Sequence, residues 1–502
     1  MDPELLSRIQ FALTASFHFI FPPISMGLGL MLVAMGIVYV RTKDPKWRQL
    51  SFFWVKIYGI VFAMGVATGV VQEFEFGMNW ADYSRFVGNV FGSLLAAEGV
   101  FAFFLEGGFL GLMLFGGNRL GPRMWLFAIF MVTFGAHFSA LWILMANSWM
   151  QTPQGYTIAE TPLPARAVMT DFWEVVFTPS FIPRLMHVWV AAWTVGSALM
   201  LSVGAWYLLR RRNVDLAISN LKLALPFFVL FSVWNLFIAG PNMAIEVTNN
   251  QPLKLASMEG LWESTSCAPM FLVGWVDEAA QTTTGLSIPC LLSFLAYQDI
   301  DATVAGIDSF APDPTPPINL LFQVYHLMIG LAPLLAGIAV LAGLWYLWRR
   351  RIFRSRFVLW LLVLSVFLGE IAITAGWWTA EIGRQPWVVY DVLKTADGVS
   401  PTLSGGDVAV SLGGFIGLYA ILFLLFLYLM NRKIQAGPEP LEAVETVAVS
   451  SLPDTFRDVF RKRPHSAGPS PIEDEPTQPL ADDDAAGPQP EVEPQPDGEE
   501  RS

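Results

Sequence analysis

Nine apolar stretches, each long enough to cross a bilayer, constrain this chain more than any other feature. They run roughly over 12–40, 52–77, 93–116, 123–149, 184–209, 221–240, 319–347, 357–380 and 408–431. With 54% hydrophobic and 14% charged residues, the chain is too apolar for an ordinary soluble domain. The expected fold class is an all-α integral membrane protein with nine transmembrane helices. No cleavable signal peptide is expected, because the first stretch can span and no small-residue cleavage site follows it.

Basic residues orient the spans. The turns after spans 1, 3, 5, 7 and 9 and their flanks carry 17 Lys and Arg, against seven on the other side. The N-terminus is therefore expected outside and the C-terminus inside. Residues 1–240 would hold helices 1–6, 241–318 a long extracytoplasmic loop, and 319–433 helices 7–9. Of the formal charge of −12, most belongs to residues 434–502, with 16 Asp and Glu against 5 Lys and Arg. This acidic, Pro-rich tail is expected to be cytoplasmic and disordered. Cys267 and Cys290 are the only cysteines. Both fall in the outer loop, where a disulfide is expected and two free thiols are the alternative.

Five polar side chains interrupt the apolar helices at one expected depth, toward the outer face. They are His18, Glu98, His187, Met328 and Glu381. Ionisable groups inside a bilayer are costly and mark functional sites. A His/Met pair suits a six-coordinate, low-spin electron-transfer haem, so His187 and Met328 are candidate axial ligands. His18 and a carboxylate remain for haems with open or weak sites. A copper-containing haem oxidase needs about six membrane histidines, and this chain has five in all, so the count excludes it.

These residues lie in runs that resemble subunit I of the cytochrome bd quinol oxidases. The runs are ALTASFHFIF around His18, GSLLAAEGVFAFFLEGGFLGL around Glu98 and Glu106, SALWILMANSWMQTPQG after His137, QPLKLASMEGLWE in the outer loop, and GWWTAEIGRQPW around Glu381. The resemblance covers about residues 1–431. It implies three haems, b558, b595 and d, with His187 and Met328 on b558 and His18 and Glu381 serving the two high-spin haems. Trp377 would lie between haems, and Arg384 and Arg8 would pair with haem propionates. Lys254 and Glu259 match the loop residues implicated in quinol oxidation, where a carboxylate can accept a quinol proton.

The resemblance further implies quinol oxidation outside, O₂ reduction to water with protons from inside, and a proton gradient built without pumping. It implies a bacterial cytoplasmic membrane location and a second large subunit, subunit II. Small single-helix subunits are possible further partners, and no nucleic acid is expected. Glu106, eight residues beyond Glu98, is a candidate proton station about 12 Å deeper. Glu370 is not required by the motif. It is expected to share a stripe with Thr374, Trp377 and Glu381 and to relay protons. The chain departs from the pattern at His326, where the family often has Arg. This also resembles the cyanide-insensitive branch, in which a further haem b can stand in place of haem d. A membrane transporter with a polar outer vestibule is the reading from a different class.

Overall fold

The structure, a computed structural model, describes residues 2–440 except 118, 161–163, 311–313 and 349. Among the described residues, nine helical segments are long and apolar enough to cross a membrane. Helices suit this solvent because every backbone donor and acceptor is satisfied within the segment.

The first crossing joins α1 (Pro3–Phe19) to α2 (Phe21–Thr42), and the second is α3 (Pro45–Met78). The third joins α4 (Ala81–Ala97), a π segment (Glu98–Phe103) and α5 (Phe104–Phe115). Next come α6 (Pro122–Gln151), the short α7 (Phe172–Val176) and the crossing α8 (Phe181–Leu209). The sixth crossing joins α9 (Val214–Trp234), a second π segment (Asn235–Ala239) and α10 (Gly240–Asn250). After α11 (Pro252–Glu259) and α12 (Leu291–Tyr297), the last crossings are α13 (Ile318–Leu347), α14 (Arg356–Ile382) and α16 (Gly405–Ala436). The short α15 (Thr395–Gly398) precedes α16.

Several helices outrun their apolar stretches. The first begins at Pro3, ahead of the expected residue 12, because the Asp2 side chain caps Glu4 and Pro3 occupies the first turn. The third begins at Ala81, so Glu98 lies well along the helix, not near its end. The sixth continues to Asn250, which moves the start of the long connection past 241. Hydropathy registers apolar side chains only, and these extensions carry polar ones. At the other end, α16 runs to Ala436, and Glu439 pairs with Lys56 and Lys433, so the first residues of the expected tail are ordered. The rest of the acidic tail lies outside the described residues.

The connections are not purely helical. Among the described residues four two-stranded antiparallel sheets occur, each in a connection that follows an even-numbered crossing. They pair β1 (Tyr156–Ala159) with β2 (Arg166–Met169), and β3 (Thr265–Ser266) with β6 (Thr303–Val304). They also pair β4 (Met270–Asp277) with β5 (Thr282–Ile288), and β7 (Trp387–Val389) with β8 (Leu393–Lys394). Cys267 and Cys290 form a disulfide that flanks the β4–β5 hairpin. Backbone bonds from Tyr390 to Met150 and from Ser400 to Asn79 tie the ends of these crossings together.

Close backbone approach sets the centre of the bundle. Gly27 of α2 lies against Ala192 and Gly196 of α8, with no room for a Cβ on either glycine. Small residues allow such contact between membrane helices, where dispersion replaces the hydrophobic effect. The polar break after His18 also has a local cause. Pro22 and Pro23 supply no amide donors, and the helix is interrupted at Ile20.

Candidate functional site

One cavity of about 2350 Å³ occupies the bundle and reaches the long connection. Its wall includes His18, Glu98, Glu106, His187, Met328, Trp377 and Glu381, with Arg8, Arg384, Lys254 and Glu259. Residues scattered over more than 370 positions of sequence thus meet around one space. Glu370 is not on this wall.

His18 Nδ1 lies 2.9 Å from Thr68 Oγ1. The Thr68 hydroxyl already donates to the Met64 carbonyl at 2.9 Å, so it accepts from His18. That fixes the Nδ1–H tautomer and leaves Nε2 with a free lone pair. A metal-binding histidine commonly has its other nitrogen held in this way. Gly69 adjoins the same ring, where a Cβ would stand 3.2 Å from Cε1.

His187 is turned toward Asn235, in the second π segment, and its Nδ1 is buried. Met328 Sδ lies where a Cβ on Gly376 would be only 2.9 Å away, so α14 leaves room for the thioether. The two π segments begin at Glu98 and at Asn235, and each borders the cavity. Such bulges recur at functional sites because they re-aim side chains within a helix.

Glu381 is held from two sides. Asn147 Nδ2 donates to Oε1 at 2.9 Å, and Arg384 pairs with Oε2. Arg384 and Arg184 are 4% and 5% exposed, and each has two guanidinium nitrogens without a partner among the described residues. Buried donors of this kind fit an anionic group in the cavity, as haem propionates would be. Arg8 is at the cavity edge and pairs with Glu4 at 3.8 Å. Trp377 packs its ring 5.9 Å from Phe19.

Ser139 donates to Glu98 at 2.6 Å, and Tyr58 donates to Glu106 at 3.3 Å. His137 is no candidate ligand. Its Nδ1 lies 2.8 Å from the Thr133 carbonyl and its Nε2 accepts from Trp193 at 2.8 Å. By helical spacing Glu370 keeps the face of α14 that it shares with Thr374, Trp377 and Glu381, but neither Glu370 nor Thr374 is on the cavity wall. At that depth the wall is formed by Gly369, Ala372, Ile373 and Gly376, and Gly369 seats against Val195 of α8. Both its carboxylate oxygens are buried without a hydrogen-bond partner among the described residues. Trp377 and Glu381 still reach the cavity.

Lys254 and Glu259 occupy different sides of α11, as five residues at 100° each require. Lys254 Nζ donates to Gln151 Oε1 at 3.1 Å, to Gln251 Oε1 at 3.3 Å and to the Ala380 carbonyl at 2.9 Å. Burial and then the Arg184 cation push its ammonium down to about 7, against the opposing pull of Glu381. Glu259 instead faces α13, with the Tyr325 hydroxyl beside it and His326 Nε2 at 3.9 Å. Burial pushes the Glu259 carboxyl up to about 8. His326 Nδ1 is 2.8 Å from the Phe322 carbonyl and its ring stacks on Phe322 at 3.8 Å. His326 is thus turned to the loop carboxylate.

Sequence reasoning missed Thr68, Asn147, Arg184 and Tyr325. Arg184 precedes His187 by three residues, on the same helical face, and that spacing was a usable signal. The others come from helices distant in sequence.

Residues 6–438 match the family described as cytochrome bd terminal oxidase subunit I. The chain belongs to this family. It is 36% identical over 450 residues to the cytochrome bd ubiquinol oxidase subunit 1 of Bacillus subtilis (strain 168), covering 88% of this chain and 95% of that protein. It is 34% identical to the cytochrome bd-II ubiquinol oxidase subunit 1 of Escherichia coli (strain K12), covering 87% of this chain and 97% of the relative. The solved bd oxidase from Geobacillus thermodenitrificans superposes with a TM-score of 0.81 at 30% identity, over 87% of this chain and 99% of that one. This family membership makes the chain a multi-pass subunit of a respiratory quinol oxidase.

Proposed function

We propose that this subunit oxidises quinol at the end of the bundle capped by the long connection and reduces O₂ to water within the cavity. The observation that supports this most is that His18, His187, Met328 and Glu381, from four crossings, border one space. His187 and Met328 would hold the low-spin haem b558. His18 and Glu381 would serve two high-spin haems, b595 and d. When bound, the haems carry electrons from quinol to O₂.

The residues do the rest. Quinol must lose two electrons and two protons, and Glu259 is placed to accept a proton at the loop. Tyr325 and His326 border that carboxylate. Lys254 fastens α11 to the ends of α6 and α14 through its bonds to Gln151 and the Ala380 carbonyl. Arg184, Arg384 and Arg8 offer cationic partners for propionates. Trp377, on the cavity wall, would lie between the haems. Glu98 and Glu106, tied to Ser139 and Tyr58, hold protons for O₂ reduction. Glu370, which does not border the cavity, is a further candidate proton holder.

In this reading the N-terminus and long connection lie outside the bacterial cytoplasmic membrane and the C-terminus inside, an orientation that the basic turns support. Quinol protons are then released outside and O₂ draws protons from inside, which builds a gradient without a pump. The partner is subunit II of the oxidase, with small single-helix subunits as further companions. His326 in place of Arg favours a second reading of the cofactors, with a further haem b in place of haem d. Absorption spectra with pyridine haemochrome analysis, beside quinol-driven O₂ uptake, test both. Preparations lacking stoichiometric haem would overturn the proposal, and haem b alone would select the second reading.

A further inference from the structure

Apart from the cavity, α1, α3 and α16 enclose a second polar region. Ser7, Gln10 and Thr14 of α1 recur at helical spacing and continue the stripe that ends in His18. All three are completely buried, as is Glu75 of α3, and Tyr419 of α16 is 3% exposed. Thr14 lies beside both the Glu75 carboxylate and the Tyr419 hydroxyl. One turn along α1, Ser411 of α16 donates to Gln10 Oε1 at 2.8 Å. None of the five stripe and partner residues, Ser7, Gln10, Thr14, Glu75 and Tyr419, borders the large cavity.

The seam is rich in polar atoms that are poorly satisfied among the described residues. Ser7 Oγ and Gln10 Nε2 are buried without hydrogen-bond partners there, and the single Thr14 hydroxyl is shared between the Glu75 carboxylate and the Tyr419 hydroxyl. Inside a membrane bundle an under-satisfied polar group is expensive, and a buried carboxylate more so. So many of them along one seam are not a packing accident. Buried water makes about three hydrogen bonds to groups of this kind, so roughly two or more waters would satisfy them. The row starts near the beginning of α1 and reaches Thr14, one turn from His18.

We propose that the seam between α1, α3 and α16 holds a chain of ordered water that leads from the start of α1 to the back of the His18 site, separately from the large cavity. Glu75 is its anchoring group. Through it, water exchanges between that end of the bundle and the Thr68 side of His18. The link to a cofactor rests on the ligand role proposed above for His18, whereas the hydration of the seam does not.

X-ray radiolytic labelling of the intact oxidase in ¹⁸O water tests the hydration, since it marks side chains that touch bound water. Tyr207 is the control, because it is equally buried at 3% but its hydroxyl is spent on the Ile434 carbonyl at 2.7 Å. Tyr419 should be labelled severalfold faster than Tyr207, and Thr14→Val with Gln10→Leu should remove that excess. Equal labelling of the two tyrosines in the parental oxidase would overturn the proposal, and needs no variant to assemble. For the link, the iron–histidine Raman band assigned to His18 should respond to D₂O severalfold more slowly in the double variant. An unchanged response would overturn the link. Absence of that band from the parental protein would instead count against His18 as a ligand.

Discussion

The Thr68 hydroxyl accepts from His18 Nδ1 at 2.9 Å while donating to the Met64 carbonyl of its own helix. Two helices thereby fix one tautomer of one imidazole. Thr68→Val should lower the occupancy or affinity of the group bound by His18 by about 10- to 100-fold. Thr68→Ser should restore it. Normal haem stoichiometry and an unshifted iron–histidine band in the Val variant would show that the contact is incidental.

Met328 and Gly376 make a paired prediction. Met328→Leu should convert the low-spin haem to high spin, as should His187→Ala. Gly376→Ala places a Cβ 2.9 Å from the thioether, so Met328 must shift. A partial loss of the low-spin optical signal is expected there. A low-spin signal that survives both Met328→Leu and His187→Ala would remove the ligand assignment.

Glu259 sets a pH dependence. With its carboxyl raised to about 8, it is mostly protonated at neutral pH and becomes a competent base as pH rises through 8. The sign for stability is opposite. A raised carboxyl pKa means the folded state holds its proton longer, so this contribution is full below the unfolded value and is lost as pH rises toward 8. Quinol oxidation should therefore increase between pH 7 and 9. Glu259→Gln should slow it and flatten this limb, while O₂ reacts normally with the pre-reduced enzyme. A retained limb in the variant would assign it to another group.

Lys254 should behave as a positioning residue. All three donors of its ammonium are committed to Gln151, Gln251 and Ala380. Lys254→Met would orphan buried acceptors, each at a cost of about 1–3 kcal/mol. The long connection should become sensitive to protease and kcat for quinol should fall more than KM rises. A pure KM effect with a protease-resistant loop would indicate direct contact with quinol.

Glu370→Gln keeps shape and hydrogen-bonding capacity but cannot carry a proton. With Glu370 as a proton holder, the variant should assemble with all its haems and reduce O₂ severalfold more slowly across pH 6 to 8. A parental rate with intact haem content would make Glu370 a packing residue and put the proton route elsewhere.

The amino-acid sequence by itself determined the membrane class, the nine crossings and the residue types that can ligate haem. Hydrophobic length and soft-ligand chemistry are local properties, legible without a fold. So were the motif residues of the loop and the pairing of the two cysteines. Only tertiary structure decided which of these residues meet. Glu370 shares a helix face with Glu381 by spacing, yet only Glu381 borders the cavity, because other helices decide what lies against each part of that face. The same packing gave Lys254 and Glu259 separate neighbours and turned His326 to Glu259. It also brought Thr68 to His18 and gathered the polar face of α1 against Glu75 and Tyr419. Periodicity states which residues share a helix face. What that face meets depends on helices far away in sequence, and their rotation is set by packing across the whole bundle.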